Sequence, residues 1–215
     1  MGAHESMDRI KDGGVVAIMR AKSSEQLLGA AKAVLAGGVT AIEVTMTTPG
    51  ALDVVRQATS QFGKEVVFGV GSVLDAETAR AAILAGAQFV VCPTLKIATI
   101  ELCHRYSIPV VPGAYTPTEI LSAWEAGADA VKVFPASVGG PAYLKAIKGP
   151  LPQVSLTAVG GVTVENSAEF VRAGADFVGV GGELVSQKLL DASDFAQITE
   201  RASAFRLQVE KGRGR

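Results

Sequence analysis

Hydrophobic positions along this chain come in two alternating patterns. Short, unbroken apolar runs lie near residues 14–20, 40–45, 66–71, 88–92, 109–112, 129–134, 154–159 and 176–180. Between them lie longer stretches in which apolar residues return every three or four positions. The short runs predict strands, and the longer stretches predict amphipathic helices. Unbroken rather than alternating runs suit a parallel sheet covered on both faces. Punctuation agrees with this division. SSEQLLGAAKAVLAGG opens on the capping residues Ser23 and Ser24, and DAETARAAILAG opens at Asp75. TPGALDVVRQATSQFG carries Pro49 near its predicted first turn, and TPTEILSAWEAG carries Pro117 after a threonine.

An internal echo runs through the chain: LAGGVTAIEV, LAGAQFVVCP, EAGADAVKVF and RAGADFVGVG. Its aligned glycines are Gly37, Gly86, Gly127 and Gly174, roughly 40 to 50 residues apart, each placed to end a helix before a strand. Each interval has room for a second strand and helix. Eight strand–helix units in one chain predict an α/β fold, a (β/α)8 TIM barrel, with residues 1–215 as a single domain. The segment MGAHESMDRI is expected to form an N-terminal lead-in helix. An open doubly wound sheet is the structural alternative. The basic tail KGRGR is expected to fray.

Composition narrows the function. The 215 residues carry 20 basic and 21 acidic side chains, so the net charge of −1 leaves no electrostatic footprint for nucleic acid or an anionic membrane. No apolar run reaches about 18 residues, so no transmembrane helix is expected. The N-terminus lacks the apolar core of a signal peptide, although Gly2 and Ser6 match the loose myristoylation pattern. Two cysteines, Cys92 and Cys103, imply no disulfide framework and point to a cytoplasmic protein in which both are small buried hydrophobes. Two well-separated histidines, His4 and His104, argue against a clustered-histidine metal site and against a Ser-His-Asp triad. Trp124 is expected in the core or at a contact between copies, and Tyr115 and Thr116 in a turn.

In a barrel the chemistry gathers at the C-terminal ends of the strands. Polar residues predicted there are Arg20, Glu43, Thr45, Ser72 and Lys132. Lys132 interrupts ADAVKVFPAS, between Val131 and Val133. Strand alternation puts Lys132 with Phe134 on one face and the two valines on the other. Glu43 and Thr45 likewise oppose Ile42 and Val44. If the valines meet the helices, Lys132 and Glu43 point into the barrel mouth. Loss of water there favours the neutral amine, which attacks ketones to form a Schiff base. Such chemistry needs a proton shuttle, and Glu43 is the carboxylate at hand. The alternative is a structural Lys132–Glu43 ion pair. Glycine-rich turns follow the seventh and eighth strands, AVGGVT with Gly160 and Gly161, and VGVGGEL with Gly181 and Gly182. Both sit where such barrels bind phosphate, although glycine also serves as plain turn chemistry.

From about residue 8 to 205 the chain resembles the 2-keto-3-deoxy-6-phosphogluconate (KDPG) and 4-hydroxy-2-oxoglutarate (KHG) aldolases. The motifs are GGVTAIEVT, GVGSVLDAE, VVCPT, VPGAYTPTE, AVKVFPAS, GPAYLKAIKGPLP and VGGVT. The resemblance implies Lys132 as the Schiff-base lysine and Glu43 as general acid/base. It also implies Pro93 and Phe134 as pocket walls with Thr45 and Val159 beside them, and backbone donors to a phosphate at Gly160, Gly161 and Gly182. It implies a homotrimer acting on a small molecule without metal or other cofactor. Four departures stand out. Where many members carry a carboxylate-binding arginine, EVTMTT has Thr47, which leaves Arg20, as in some relatives, for that role or for a plain surface position. Ser72 replaces a threonine, keeping a hydroxyl for the same carboxylate. Val159 replaces a threonine and looks more like the galactonate-type aldolases. Gly182 replaces a serine and is followed by Glu183, a carboxylate beside the anion site.

The expected reaction is cleavage of KDPG to pyruvate and glyceraldehyde 3-phosphate, with KHG cleavage to pyruvate and glyoxylate as a second activity. The galactonate epimer of KDPG is the alternative substrate. A phosphate-binding epimerase or isomerase barrel, or a barrel that binds a keto acid without turnover, are the rival functions.

Overall fold

A computed structural model describes residues 3–214, with the side chains of Ala3 and His4 left aside. Gly2, half of the myristoylation pattern, lies outside the described residues. The chain opens with α1 (Ala3–Gly13) and proceeds through β1 (Val15–Met19), α2 (Ser24–Ala36), β2 (Ala41–Thr45), α3 (Ala51–Phe62), β3 (Val67–Gly71), α4 (Ala76–Leu84) and β4 (Val90–Val91). Next come α5 (Ile97–Arg105), β5 (Val110–Val111), β6 (Gly113–Ala114), α6 (Pro117–Glu125) and β7 (Val131–Val133). After a short 3-10 turn (Ala136–Val138) follow α7 (Gly140–Lys148), β8 (Leu156–Val159), α8 (Val164–Arg172), β9 (Phe177–Val180), α9 (Gln187–Asp191) and α10 (Phe195–Gly212). All strand pairs are parallel, in the order β5-β4-β3-β2-β1-β9-β8-β7-β6.

The two ends of that sheet are consecutive in sequence. Pro112 separates β5 from β6 because it has no N–H to give the ladder. Its carbonyl still accepts from Lys132 N at 2.9 Å, while Val111 O accepts from Cys92 N at 3.1 Å. Residues 110–114 are therefore one physical strand that bonds β4 on one side and β7 on the other. The barrel closes through it, and eight strand positions are filled as the hydrophobic pattern predicts.

The alternation of each strand is resolved by two cores. Outside the barrel, Met19, Ile42, Val44, Phe68, Val70, Val131, Val133, Leu156 and Val178 pack against the helices. Inside it, Val16, Ala41, Val67, Phe89, Val91, Val111, Ala130 and Phe177 form a second cluster, joined from α1 by Met7 and Ile10. The lead-in helix thus plugs the N-terminal end of the barrel. Arg9 holds it there by donating to Lys64 O at 2.7 Å and Glu65 O at 2.9 Å.

The helix ends explain the echo. Gly86, Gly127 and Gly174 have φ of 102°, 94° and 108°, and each follows an alanine C-cap. The next amide bonds back to the helix in every case, as in Ala128 N to Ala123 O at 3.1 Å, which is the Schellman closure. In the first echo this position is Gly38, with φ of 84°, while Gly37 sits at the C-cap with an ordinary φ. The structural alignment is shifted there by one residue. Pro49 also moves relative to expectation: α3 starts at Ala51 and Gly50 is its N-cap, so the proline lies before the helix. The tail through Gly214 is a further correction, and Arg215 lies outside the described residues. Rather than fraying, Arg213 donates to Asp12 O at 2.8 Å and to Asp176 O at 3.1 Å, tying the end of α10 to the end of α1. A guanidinium has enough donors to satisfy several terminal carbonyls at once.

Candidate active site

Lys132 and Glu43 both point into the barrel. Lys132 is the middle residue of β7 and is 6% exposed; Glu43 is the middle residue of β2 and is 3% exposed. They line one small cavity with Ile10, Val16, Phe89 and Thr157. The valines flanking Lys132 belong to the outer core, so the expected facing holds. The Lys132 ammonium lies 4.8 Å from the centre of the Phe134 ring, within cation–π range.

Burial drives the Glu43 carboxyl well above the usual carboxylate range; the positive charges of Lys132 and, less strongly, Arg20 pull against it. The ion pairs among the described residues all lie elsewhere. Lys132 and Glu43 thus feel each other's charge without forming a direct salt bridge, which weakens the structural-pair alternative. Space for the carboxyl comes from Gly71 at the end of β3. A Cβ there would lie 1.7 Å from Glu43 Oε1. Glycine inside a strand marks such a close approach, and that signal in GVG was available in the sequence.

The other expected residues distribute around the mouth. Thr45 is fully buried at the end of β2, with Oγ1 2.8 Å from Thr47 Oγ1. Ser72 follows β3 at φ of 58°, a left-handed conformation that a non-glycine residue enters at a cost. Pro93 follows β4 and its carbonyl leaves no room for a Cβ on Gly113, 2.3 Å away. Phe134, at the end of β7, is 39% exposed. Val159 ends β8 and lines both this small cavity and a more open one.

That open pocket has a volume of about 360 Å3. Arg20, Phe134 and Val159 line it together with Gly160, Gly161, Gly181, Gly182, Thr163 and Glu183. Gly160 and Gly161 have φ of 89° and 77°. A Cβ on Gly161 would meet Ser137 Cβ at 2.4 Å, so this turn is closed to larger residues by sterics as well as by conformation. Helix α8 begins directly after it, and Asn166 caps the turn by accepting from Thr163 N at 2.8 Å. Both glycine loops thus converge on one pocket. Arg20 borders Gly181 in it, whereas Ser72 lies outside its lining. Arg20 and Ser72 follow the ends of β1 and β3, the two strands that pair with β2.

Several residues have structural partners or sit in the core. The Cys92 and Cys103 thiols are buried and free, and burial pushes each up to about 12, so neither is a nucleophile near neutrality. His104 lies against Gly127, with Nε2 2.8 Å from its carbonyl. Thr116 caps α6 and Tyr115 stacks on Tyr143, with ring centres 5.0 Å apart. Trp124 packs on the outer core. Among the described residues no group of His, Cys, Asp and Glu is placed to hold a metal ion. Thr157 escaped the sequence reading. It pairs with Lys132 in register and faces the same way, so strand alternation applied to SLTAVGG would have found it.

Residues 7–201 match the model of the KDPG and KHG aldolase family. The chain is 36% identical to the 2-dehydro-3-deoxy-6-phosphogalactonate aldolase of Escherichia coli over 171 residues, 79% of this chain and 83% of the relative. It is 34% identical to a 2-dehydro-3-deoxy-phosphogluconate aldolase of Pseudomonas aeruginosa, covering 92% of this chain and 90% of that one. The barrel superposes with a TM-score of 0.87 on the KDPG aldolase of Legionella pneumophila, captured with pyruvate as a covalent carbinolamine. That match is 28% identical and covers 93% of this chain and 97% of the other.

Proposed function

The chain belongs to the KDPG and KHG aldolase family, and on that premise we propose that Lys132 is its Schiff-base nucleophile and Glu43 its proton shuttle. It is a pyruvate-dependent lyase. The observation that carries the residue assignment is one buried amine and one buried carboxyl lining the same cavity inside the barrel, with no direct ion pair between them.

The Lys132 amine attacks the C2 ketone of a 2-keto-3-deoxy-6-phospho sugar acid. Glu43, whose burial keeps a proton on it, protonates the departing C2 hydroxyl as water leaves and the iminium forms. Its carboxylate then takes the C4 hydroxyl proton as the C3–C4 bond breaks, with the bonding pair flowing into the iminium. The aldehyde leaves, C3 of the enamine regains a proton, and water at C2 releases pyruvate and the free amine. We assign the substrate carboxylate to Arg20 and Ser72, which follow the strands on either side of β2; that Arg20 lies close enough to act on Glu43 supports this. Thr45, Pro93 and Phe134 shape the pyruvyl pocket. Amides of Gly160, Gly161, Gly181 and Gly182 receive the phosphate in the open pocket.

KDPG is the substrate we favour, with KHG as the second. The specific case for the galactonate epimer is Val159, which lines the mouth with no hydroxyl to offer the sugar. We further propose one domain over residues 1–215, a homotrimer and a cytoplasmic setting. Support for the trimer comes from Leu74 and Ile97, exposed by 55% and 42% after β3 and β4. An apolar edge of that kind suits a contact between copies. Among the described residues no helix is long and apolar enough to cross a membrane.

The test is borohydride reduction of the protein with pyruvate, followed by peptide mass mapping. An adduct on Lys132 is expected, lost in Lys132→Ala. An adduct elsewhere, or none on folded protein, rejects the assignment. Arg20→Ala should raise the pyruvate concentration needed for trapping; an unchanged requirement moves Arg20 to the aldehyde side of the pocket.

A further inference from the structure

Arg20 and Glu183 are the two charged residues that line the open pocket. Neither takes part in an ion pair among the described residues. In the reading above the guanidinium belongs to the substrate carboxylate. The part of the pocket that takes the aldehyde end is then left with a carboxylate and no cation of its own. Glu183 is held at this place from both sides. Gly181 O accepts from Leu184 N and Val185 N, each at 2.9 Å, so Gly182 and Glu183 form the crest of a tight turn. Leu184 is fully buried behind the crest, and Arg201 of α10 donates to Glu183 O at 2.9 Å. Glu183 itself is exposed. A Cβ added at Gly182 would meet nothing within 4 Å, and the residue is outside the left-handed region. Conformation and packing therefore permit a side chain at Gly182, and the chain supplies none. An anion bound there meets backbone amides, with the Glu183 carboxylate next along the turn.

A phosphate ester brings close to two negative charges into that pocket. Beside an unpaired carboxylate those charges are repelled, whereas a hydroxyl in the same place finds an acceptor. Resting on the assignment of the glycine loops to the aldehyde end, we propose that Glu183 is a specificity-determining residue that narrows the advantage of phosphorylated aldehydes. Short unphosphorylated hydroxyaldehydes are then a second substrate class for this chain. The loop amides still receive the phosphate, and the carboxylate offsets part of what they contribute. Selectivity at this end is the difference between one attraction and one repulsion. Recognition of the pyruvyl half is separate, because Glu183 does not line the cavity of Lys132 and Glu43.

Run in reverse, the cleavage joins pyruvate to an aldehyde. Its kcat/KM compares D-glyceraldehyde 3-phosphate with D-glyceraldehyde on one protein. A site built to hydrogen-bond a substrate group commonly rejects the analogue lacking it by about 10⁴-fold or more, and the unaltered protein should instead prefer the phosphorylated aldehyde by less than about 10²-fold. A larger preference overturns the proposal, and this measurement depends on no variant folding. Glu183→Gln keeps the size and an acceptor oxygen but removes the charge. It should shift the ratio of the two kcat/KM values about tenfold toward the phosphorylated aldehyde, chiefly through a lower KM for it. Glu183→Lys should shift the ratio further in the same direction. A residue that only shapes the turn would move both aldehydes together and leave the ratio where it was, so an unchanged ratio in Glu183→Gln overturns the proposal. If both aldehydes react and the ratio does not move, only the role of Glu183 is wrong. If pyruvate forms its adduct on Lys132 and neither aldehyde is joined to it, the assignment of the aldehyde end falls and the proposal with it.

Discussion

At the residue scale, burial makes the site and also taxes the fold. Glu43 sits in a volume built for apolar side chains, and its carboxyl is held above the ordinary range by desolvation. In the unfolded chain it titrates as a normal glutamate. Between those two values the folded state holds more protons than the unfolded state, so this group's contribution to stability falls as pH rises through the folded value. Glu43→Gln should therefore unfold at a higher temperature than the unaltered protein above the normal carboxylate range. The gap should close as pH drops below that range. Thermal unfolding across pH checks this, and a Gln variant that is less stable at neutral pH would contradict it. The same variant should lose about 10²–10⁴-fold in turnover, the usual worth of a positioned acid/base. Lys132 and Glu43 were legible in the sequence because each breaks an apolar run at a position where alternation can be read. Thr157 was harder to see, since a threonine in a strand is ordinary β-sheet composition until burial and the lack of a partner are known. Gly71 carried a signal, but the group that needs its missing Cβ lies on another strand.

At the element scale, local chemistry sets where helices begin and end, and so where the strand ends lie. Ser23, Asp75 and Thr116 cap α2, α4 and α6 as their positions predict. Around α6 the capping box is complete: Glu119 N donates to Thr116 Oγ1 at 3.3 Å, and Thr116 N donates to Glu119 Oε2 at 2.8 Å. Thr116→Ala should cost about 1 kcal/mol in denaturant unfolding. It should leave the rate of pyruvate adduct formation unchanged, because α6 only carries the chain away from the mouth. A large kinetic effect would show that this turn touches substrate. Misplaced expectations at this scale have local causes. Gly50 at φ of 65° takes the N-cap of α3 and displaces Pro49 outside the helix. Pro112 splits the fifth strand because it cannot donate, although the polypeptide runs straight through.

Across the whole molecule, two packed layers divide the work of one set of strands. The outer layer against the helices is continuous and carries the fold. The inner layer is apolar near α1 and gains Glu43, Lys132 and Thr157 toward the mouth. Helix α1 therefore closes the inner layer from its apolar end. Ile10 is 1% exposed and lines the same cavity as Lys132 and Glu43. Ile10→Ala should cost about 2–5 kcal/mol through lost burial and the enlarged cavity. Chemical denaturation measures this, and a cost near zero would mean that α1 is not packed as a plug. The sequence by itself determined the barrel, because eight apolar runs separated by capped amphipathic helices have few ways to bury both faces of a sheet. It also determined which lysine and glutamate enter the interior, since period-2 alternation is a local property of each strand. Tertiary structure decided the rest, because those matters depend on distances between strands far apart in the chain. Closure through Pro112, the seat of α1 in the barrel floor, the tail pinned by Arg213 and the meeting of Thr157 with Lys132 and Glu43 are all set by strand register. No run of neighbouring residues encodes that register alone.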